Sequence, residues 1–399
     1  MLIAEIIGVG DELLYGETVD TNTSEIAVSL QPYAVEIRRT LRVADNLETL
    51  AQEVRQAWQS ARLVVISGGL GPTPDDITRE AIAVALEEEL ELDQEVLEWL
   101  EKLFKARGWK MPEVNRKQAL KIPSARWIAN PRGTAPGWWV HQKDKDLICL
   151  PGPPAEWRPM WAEVLPKLGL PQKPYRQLTF KTFGLGESRI VELLGDLFRR
   201  NGQAEVGTYA KMDGVAVVVR GEPGQVEALA AQIRPLLGEA VWGQDEDTLP
   251  ALALKLLERQ KATLATLESM TGGVLGALLT GVSGASQSYL GGLLSYSPAK
   301  SQLPIPPEVA AQHGVVSPAF AEAMATAARD MFGASYALST TGVAGPQELE
   351  GQPVGTLFVG LAGPEGVRSR HFRLPGANRE MLRQRAAHAA LAFLVGELR

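Results

Sequence analysis

Leu63-Val64-Val65-Ile66-Ser67-Gly68-Gly69-Leu70-Gly71-Pro72-Thr73-Pro74-Asp75-Asp76-Ile77-Thr78 decides the fold of the first part of the chain. Its first five residues read as a buried, β-branched strand, the glycines and prolines as a loop, and residues 76–89 as a helix. Residues 2–9 read as another buried strand, and 23–31 and 46–61 as helices. Strands separated by helices imply a parallel sheet, so residues 1–170 are expected to form a doubly wound α/β domain. In such sheets ligands bind at the carboxyl ends of the strands, where the Gly-rich loop lies.

Further along, residues 176–182 read as a strand, 187–198 as a helix, 205–210 and 215–220 as strands, and 225–237 as a helix before a last short strand. Met212-Asp213-Gly214 carries a D-G hairpin signal. Residues 171–247 thus read as a small α+β, KH-like or split βαβ module. There is no convincing GxxG loop with flanking Lys or Arg, so a spacer or dimerisation role is preferred to RNA binding. The third block opens with a helix at 249–260, a strand at 263–267, a Gly-rich turn and a helix at 274–279, and ends in a helix at 379–398. Residues 248–399 are expected to form a second doubly wound α/β domain.

The composition fits this division. All nine tryptophans lie at or before Trp242, and residues 248–399 carry 12 basic and 10 acidic side chains, so the net charge of −7 divides into +2 there and −9 on residues 1–247. The chain of 399 residues has 40 Lys and Arg against 47 Asp and Glu, which argues against a general nucleic-acid binder. A single cysteine, Cys149, excludes an intrachain disulfide and a Cys-rich zinc site; on its apolar strand it reads as an inert core thiol. The four histidines, at 141, 313, 371 and 388, are too far apart for a paired metal motif. The N-terminal stretch lacks a basic signal-peptide region and no apolar run reaches bilayer length, so a cytoplasmic protein is expected.

At the first site, Gly68, Gly69 and Gly71 let the backbone approach a ligand, and N–H groups at the helix start suit phosphate oxygens. Ser67 and Thr73 flank that approach, although Thr73 or Asp75 also serves as a simple helix cap. Asp11 and Glu12 follow the first strand. Carboxylates beside a phosphate loop repel the ligand unless a cation lies between, and oxygen ligands suit a hard divalent ion. Asp76 reads as a ligand or catalytic group, with plain capping as the alternative. Thr134 contacts phosphate or merely belongs to a turn, and Gly152 allows a close approach after the strand ending near Leu150.

GDELLYG (residues 10–16), SGGLGPTPDDIT (67–78), NPRGTAPG (130–137) and LPGPPAEW (150–157) resemble, in order and spacing, the molybdopterin-binding-like domain of the CinA family. The resemblance implies hydrolysis of the ADP-ribose pyrophosphate bond to AMP and ribose 5-phosphate. It implies help from a divalent metal ion (Mg, Mn or Co), with a monovalent cation as a further candidate. Asp76, and Asp11 with it, would hold the metal.

The second site centres on Glu268-Ser269-Met270-Thr271-Gly272-Gly273, where a strand turns directly into a helix. Ser269 there is exposed at the sheet edge, and the N–H groups after it can form an oxyanion hole; Ser269 or Thr271 can equally be a cap. No histidine is placed to activate a serine. Tyr296, Ser297 and Lys300 offer a tyrosine or lysine instead. Thr340-Thr341-Gly342-Val343-Ala344-Gly345-Pro346 is another strand-ending loop. Arg379 and Arg383, i and i+4 at the start of the last helix with Arg385 nearby, suit a phosphate monoester or form a solvated face.

The motifs ESxTGG, GAS (284–286), YS…K, TTGVAGP and QPVGT (352–356) resemble the C-terminal domain of the CinA family, the nicotinamide-nucleotide amidohydrolases. The resemblance implies deamidation of nicotinamide mononucleotide to nicotinate mononucleotide and ammonia without a cofactor. Ser269 matches the nucleophile, Lys300 and Tyr296 its activating partners, Ser286 and Thr341 substrate contacts and Arg379 a phosphate contact. Thr271, Gly345 and Arg383 complete the expected substrate site. Met270 stands where the family usually has Cys. YSPAK places the lysine one residue nearer than the usual YSNxxK: either the loop re-registers to keep Lys300 in place, or the amidase is weak or absent.

Together these readings imply a bifunctional hydrolase of pyridine-nucleotide salvage. Its substrates are ADP-ribose and nicotinamide mononucleotide, with no direct nucleic-acid or membrane partner and a homodimer as the expected assembly. The alternative is a nucleotide- or pterin-binding protein with an interaction role in competence or recombination and one or both sites inactive.

Overall fold

The computed structural model describes residues 2–198, 204–296, 303–376 and 378–399. The chain divides into two compact units, Met1–Tyr175 and Arg176–Arg399. Among the described residues no helix is long and apolar enough to cross a membrane.

In the first unit the strands are β1 (Leu2–Val9), β2 (Val35–Val43), β3 (Leu63–Ser67), β4 (Glu91–Leu92), β5 (Leu120–Lys121), β6 (Ala125–Ile128), β7 (Gly137–Gln142) and β8 (Lys145–Leu150). The helices are α1 (Asp11–Leu14), α2 (Asn22–Ser29), α3 (Leu47–Ser60), α4 (Thr78–Leu86), α5 (Gln94–Ala106) and α6 (Pro154–Val164). Six strands form one sheet in the order β2-β1-β3-β8-β7-β6. The continuous apolar runs of β1 and β3 are explained by burial on both faces. Ile7, Val64 and Ile66 pack on α3 and α4, while Ala4, Ile6, Leu63 and Val65 pack with residues of α2 and α6. The expected parallel sheet is confined to β2, β1, β3 and β8; β7 and β6 are antiparallel additions. The connection from β7 to β8 is only Lys143 and Asp144, too short for the crossover that parallel strands need.

The second unit begins with β9 (Arg176–Thr182), α7 (Glu187–Leu194), β10 (Ala204–Lys211), β11 (Gly214–Gly221), α8 (Pro223–Leu237) and β12 (Val241–Gln244). These strands make a wholly antiparallel sheet, β10-β11-β9-β12, with the Met212-Asp213 turn where the D-G signal lies. The C-terminal block comprises α9 (Leu249–Arg259), β13 (Leu264–Glu268), α10 (Val274–Thr280), β14 (Tyr289–Leu294), α11 (Pro307–His313), α12 (Pro318–Phe332), β15 (Tyr336–Gly342), β16 (Thr356–Gly363), β17 (Gly366–Arg373) and α13 (Arg379–Glu397). Its sheet runs β14-β13-β15-β16-β17, parallel through the first three strands and antiparallel in the last two. Residues of α9, α10 and α13 cover one face and those of α12 the other. The expected blocks 171–247 and 248–399 meet inside this compact unit: Trp242 and Phe183 join the core built on α13, and Arg399 donates to the carbonyls of Val241 and Trp242.

Candidate active sites

The first candidate site forms where the order of the parallel strands reverses, at the carboxyl ends of β1 and β3, the usual position for a ligand crevice in such a sheet. Gly68 and Gly69 have φ of +112° and +68°. A side chain on Gly68 would meet the Val9 carbonyl oxygen at 2.3 Å, and one on Gly69 would meet Thr78 Oγ1 at 2.2 Å, so only glycine fits. Thr78 closes the loop from the helix side, donating from Oγ1 to the Gly68 carbonyl at 2.8 Å. The Gly69 amide has no acceptor among the described residues and remains available to a ligand oxygen.

Asp76 is turned onto its own loop. Its Oδ1 accepts from the Gly71 amide at 2.7 Å, and its Oδ2 from the Thr73 amide at 2.9 Å and the Thr73 hydroxyl at 2.5 Å. These bonds delay the start of α4 to Thr78, two residues after the position expected from sequence. Asp11 instead pairs with Asp45: each backbone amide donates to the other's carboxylate, at 3.0 and 3.1 Å. Burial, then the like charges of Asp11, Glu12 and Asp75, holds the Asp45 carboxyl above the ordinary carboxylate range. Asp76 thus accepts three loop donors, while Asp11 and Asp45 are bridged through their own amides. Among the described residues no three His, Cys, Asp or Glu side chains are close enough to hold a metal ion.

Several residues that shape this site carry no motif signal. Asn22 donates to Ser67 Oγ at 3.0 Å and to the Gly152 carbonyl at 2.7 Å, and accepts from Trp157 Nε1 at 2.8 Å. It ties together the ends of β3 and β8 and the start of α6. Ser67 is buried, so its hydroxyl braces the strand ends rather than facing a ligand. Arg79 is fully buried; it donates to the Leu70 carbonyl at 2.9 Å and, more weakly, to that of Pro136 at 3.5 Å, joining the Gly-rich loop to the 130–137 turn. Burial lowers the Arg79 guanidinium to about 10, so it stays charged beneath the loop at neutral pH. Lys117 Nζ grips the carbonyls of Thr73 and Asp76 at 3.2 and 2.5 Å. Thr134 is half-buried in the turn that Asn130 organises by accepting from the amides of Arg132 and Gly133. Burial pushes the Cys149 thiol up to about 12, which makes it inert, as expected for a core thiol.

The second candidate site lies at the carboxyl ends of the parallel strands β14, β13 and β15. Glu268, the last residue of β13, is 2 % exposed and accepts from the amides of Gly273, Leu275 and Gly276 at 2.9, 3.1 and 2.8 Å. Its carboxylate thus occupies the start of α10, as the helix dipole favours. Those three amides are closed to substrate; among the described residues the amides of Thr271 and Gly272 have no acceptor and lie nearer Ser269. Ser269 is half-buried, and its amide donates to the Thr340 carbonyl at 2.9 Å, seating the turn against β15.

Two arginines complete the cluster. Arg379 donates to the Gly345 carbonyl and to the Tyr296 hydroxyl, with its guanidinium 5.9 Å from the Tyr296 ring centre. Arg383 donates to the carbonyls of Thr271 and Gly272, both at 3.1 Å, so it clamps the serine turn rather than standing free for a phosphate. Thr271 and Thr341 are buried, with hydroxyls bonded to Thr340 Oγ1 at 2.7 Å and to the Val315 carbonyl at 2.5 Å; they hold the loops and do not face solvent. Ser286 is not brought to this site. It precedes β14, whose Tyr289 registers with Leu264 at the opposite end of β13, roughly 13 Å from Glu268 at the ordinary rise of a strand. Ser297 and Lys300 lie outside the described residues.

Three family models match the chain: a probable molybdopterin binding domain over residues 5–169, the damage-inducible protein CinA KH domain over 177–243, and the CinA C-terminal domain over 246–398. A CinA-like protein of Deinococcus deserti is 40% identical over 403 residues, covering 98% of this chain and 97% of that protein. A putative competence-damage inducible protein of Desulforamulus reducens is 36% identical over 402 residues, covering 97% of each. A solved structure of CinA from Thermoplasma acidophilum is 36% identical and covers 42% of this chain and 98% of its own, with a TM-score of 0.39.

Proposed function

The chain belongs to the CinA family, and from that premise we propose that it is a hydrolase with two sites: one cleaves the pyrophosphate of ADP-ribose, and the other deamidates nicotinamide mononucleotide. The observation that carries the reading is that Ser269, Tyr296 and the Gly345 loop follow the carboxyl ends of the adjacent strands β13, β14 and β15, with Arg379 joining the last two.

For the deamidase, Ser269 Oγ adds to the carboxamide carbon, and the amides of Thr271 and Gly272 are the donors nearest the resulting oxyanion. The serine proton leaves with the nitrogen as ammonia, and water then cleaves the serine ester to release the nicotinate product. Because Arg379 occupies only one lone pair of the Tyr296 oxygen, the phenol can pass its own proton to the departing nitrogen and take the serine proton in its place, so that one proton in all reaches the leaving ammonia. Arg379 also stands at the start of α13, where both its charge and the helix N–H groups favour the substrate phosphate.

For the pyrophosphatase, the open backbone at Gly68 and Gly69 receives the diphosphate, with the buried Arg79 charge beneath. A divalent cation, when bound, would polarise the diphosphate. Asp11 and Asp45 fit that role better than Asp76: a hard ion needs only one or two carboxylates beside phosphate and water oxygens, and the crowded charge around Asp45 is what a cation relieves.

The test is incubation of the purified protein with ADP-ribose plus Mg, Mn or Co, and separately with nicotinamide mononucleotide. Release of AMP in the first and ammonia in the second is expected. Binding of both compounds without turnover would replace the hydrolase reading with that of a nucleotide- or pterin-binding protein.

A further inference from the structure

Within the second unit, the antiparallel β10-β11-β9-β12 sheet and the C-terminal sheet line an open cleft of about 680 Å³ that neither proposed reaction uses. We propose that it binds a small phosphorylated ligand with a flat ring, the chemical class of a nucleotide.

Positive charge dominates the cleft. Lys211 from the β10–β11 hairpin, Arg370 and Arg373 from β17, and Arg385 from α13 all line it, against one carboxylate, Glu187. None of the four cations forms an ion pair among the described residues. Four like charges around one space repel each other, and an anion between them removes that cost. Two of the cations are already fixed: Arg373 donates to Thr356 Oγ1 at 3.1 Å, and Arg385 donates to the Pro375 carbonyl at 2.6 Å while its Nε is buried without a partner. The i,i+4 arginines expected to act with Arg385 are thereby separated from it, since Arg379 and Arg383 turn to the serine site and Arg385 to this cleft.

Its walls are partly aromatic. Phe183 and Phe372 meet edge to face, 5.9 Å between ring centres, and Arg370 lies 5.3 Å over the Phe372 ring. Leu185 and the exposed Met212 extend the apolar side. Aromatic faces and guanidinium planes beside cations that lack a carboxylate partner bind a base and its phosphate together. The volume lies within the usual range of about 300–1,000 Å³ for small-molecule sites.

The test is photolabelling of the full chain with 8-azido-ADP, followed by peptide mapping. Label on residues 183–187, 211–215 or 370–375, displaced by unmodified ADP, is expected. The Lys211→Glu/Arg370→Glu variant changes two exposed side chains, and labelling of these segments should fall at least about tenfold, the loss of one charge-assisted contact or more. Label confined to residues 67–78 or 269–273 would overturn the proposal while leaving the two hydrolytic sites intact. No label anywhere, or label on the cleft segments undiminished in the charge-reversed variant, would also overturn it.

Discussion

Glu268 shows how much a single side chain settles at the second site. Its carboxylate holds three amides of α10 and thereby fixes the turn that carries Ser269. Glu268→Ala leaves those donors buried without an acceptor, and a loss of stability on the order of 3 kcal/mol in urea unfolding is expected, with deamidation abolished. Glu268→Gln keeps one acceptor oxygen and should fall between. Asp45 makes the opposite case. Its carboxyl is held above the unfolded value of 3.8, so ionisation is less favourable in the folded chain and stability is lost as pH rises through the window just above that value. Asp45→Asn should therefore raise the melting temperature at pH 7 and have little effect below the carboxylate range, which thermal scans at two pH values check. Ser269 and the Gly-rich loop were legible in the sequence because their chemistry depends on residue type and local spacing. Asn22, Lys117, Arg79 and the Asp11–Asp45 pairing were not, because their roles arise from contacts between segments distant in the chain.

At the scale of elements, both sites follow from one rule: a parallel strand ends, a Gly-containing loop opens, and a helix begins. Gly69 is one of the positions that this rule fixes in the first unit. Gly69→Ala combines a left-handed backbone with overlap against Thr78 Oγ1. A destabilisation of more than about 2 kcal/mol, with loss of ADP-ribose cleavage, is expected. The strand-helix alternation was readable from apolar runs, including the burial of β3 on both faces. The antiparallel edges were less so, because β7, β16 and β17 are apolar or mixed strands whose direction depends on the length of the connection rather than on side-chain pattern. Strand register is what separates Ser286 from Ser269, and a motif read as a string of residues carries no register.

For the whole molecule, the division at Tyr175 and Arg176 gives each proposed reaction its own compact unit. Residues 1–175 have two buried layers of their own on one sheet. Expressed alone, they should unfold cooperatively and retain ADP-ribose cleavage; a molten, non-cooperative fragment would show that this unit depends on the rest. The small sheet behaves differently, sharing Trp242 and Phe183 with the C-terminal core, so residues 248–399 cut away from it should lose stability through the exposed α13 face. Independence of the two sites is decided by parallel product analysis of Ser269→Ala, with ADP-ribose plus divalent metal and with nicotinamide mononucleotide. AMP release should match the unmodified protein while ammonia release disappears. Persisting ammonia release, or loss of both activities in a normally folded variant, would contradict it.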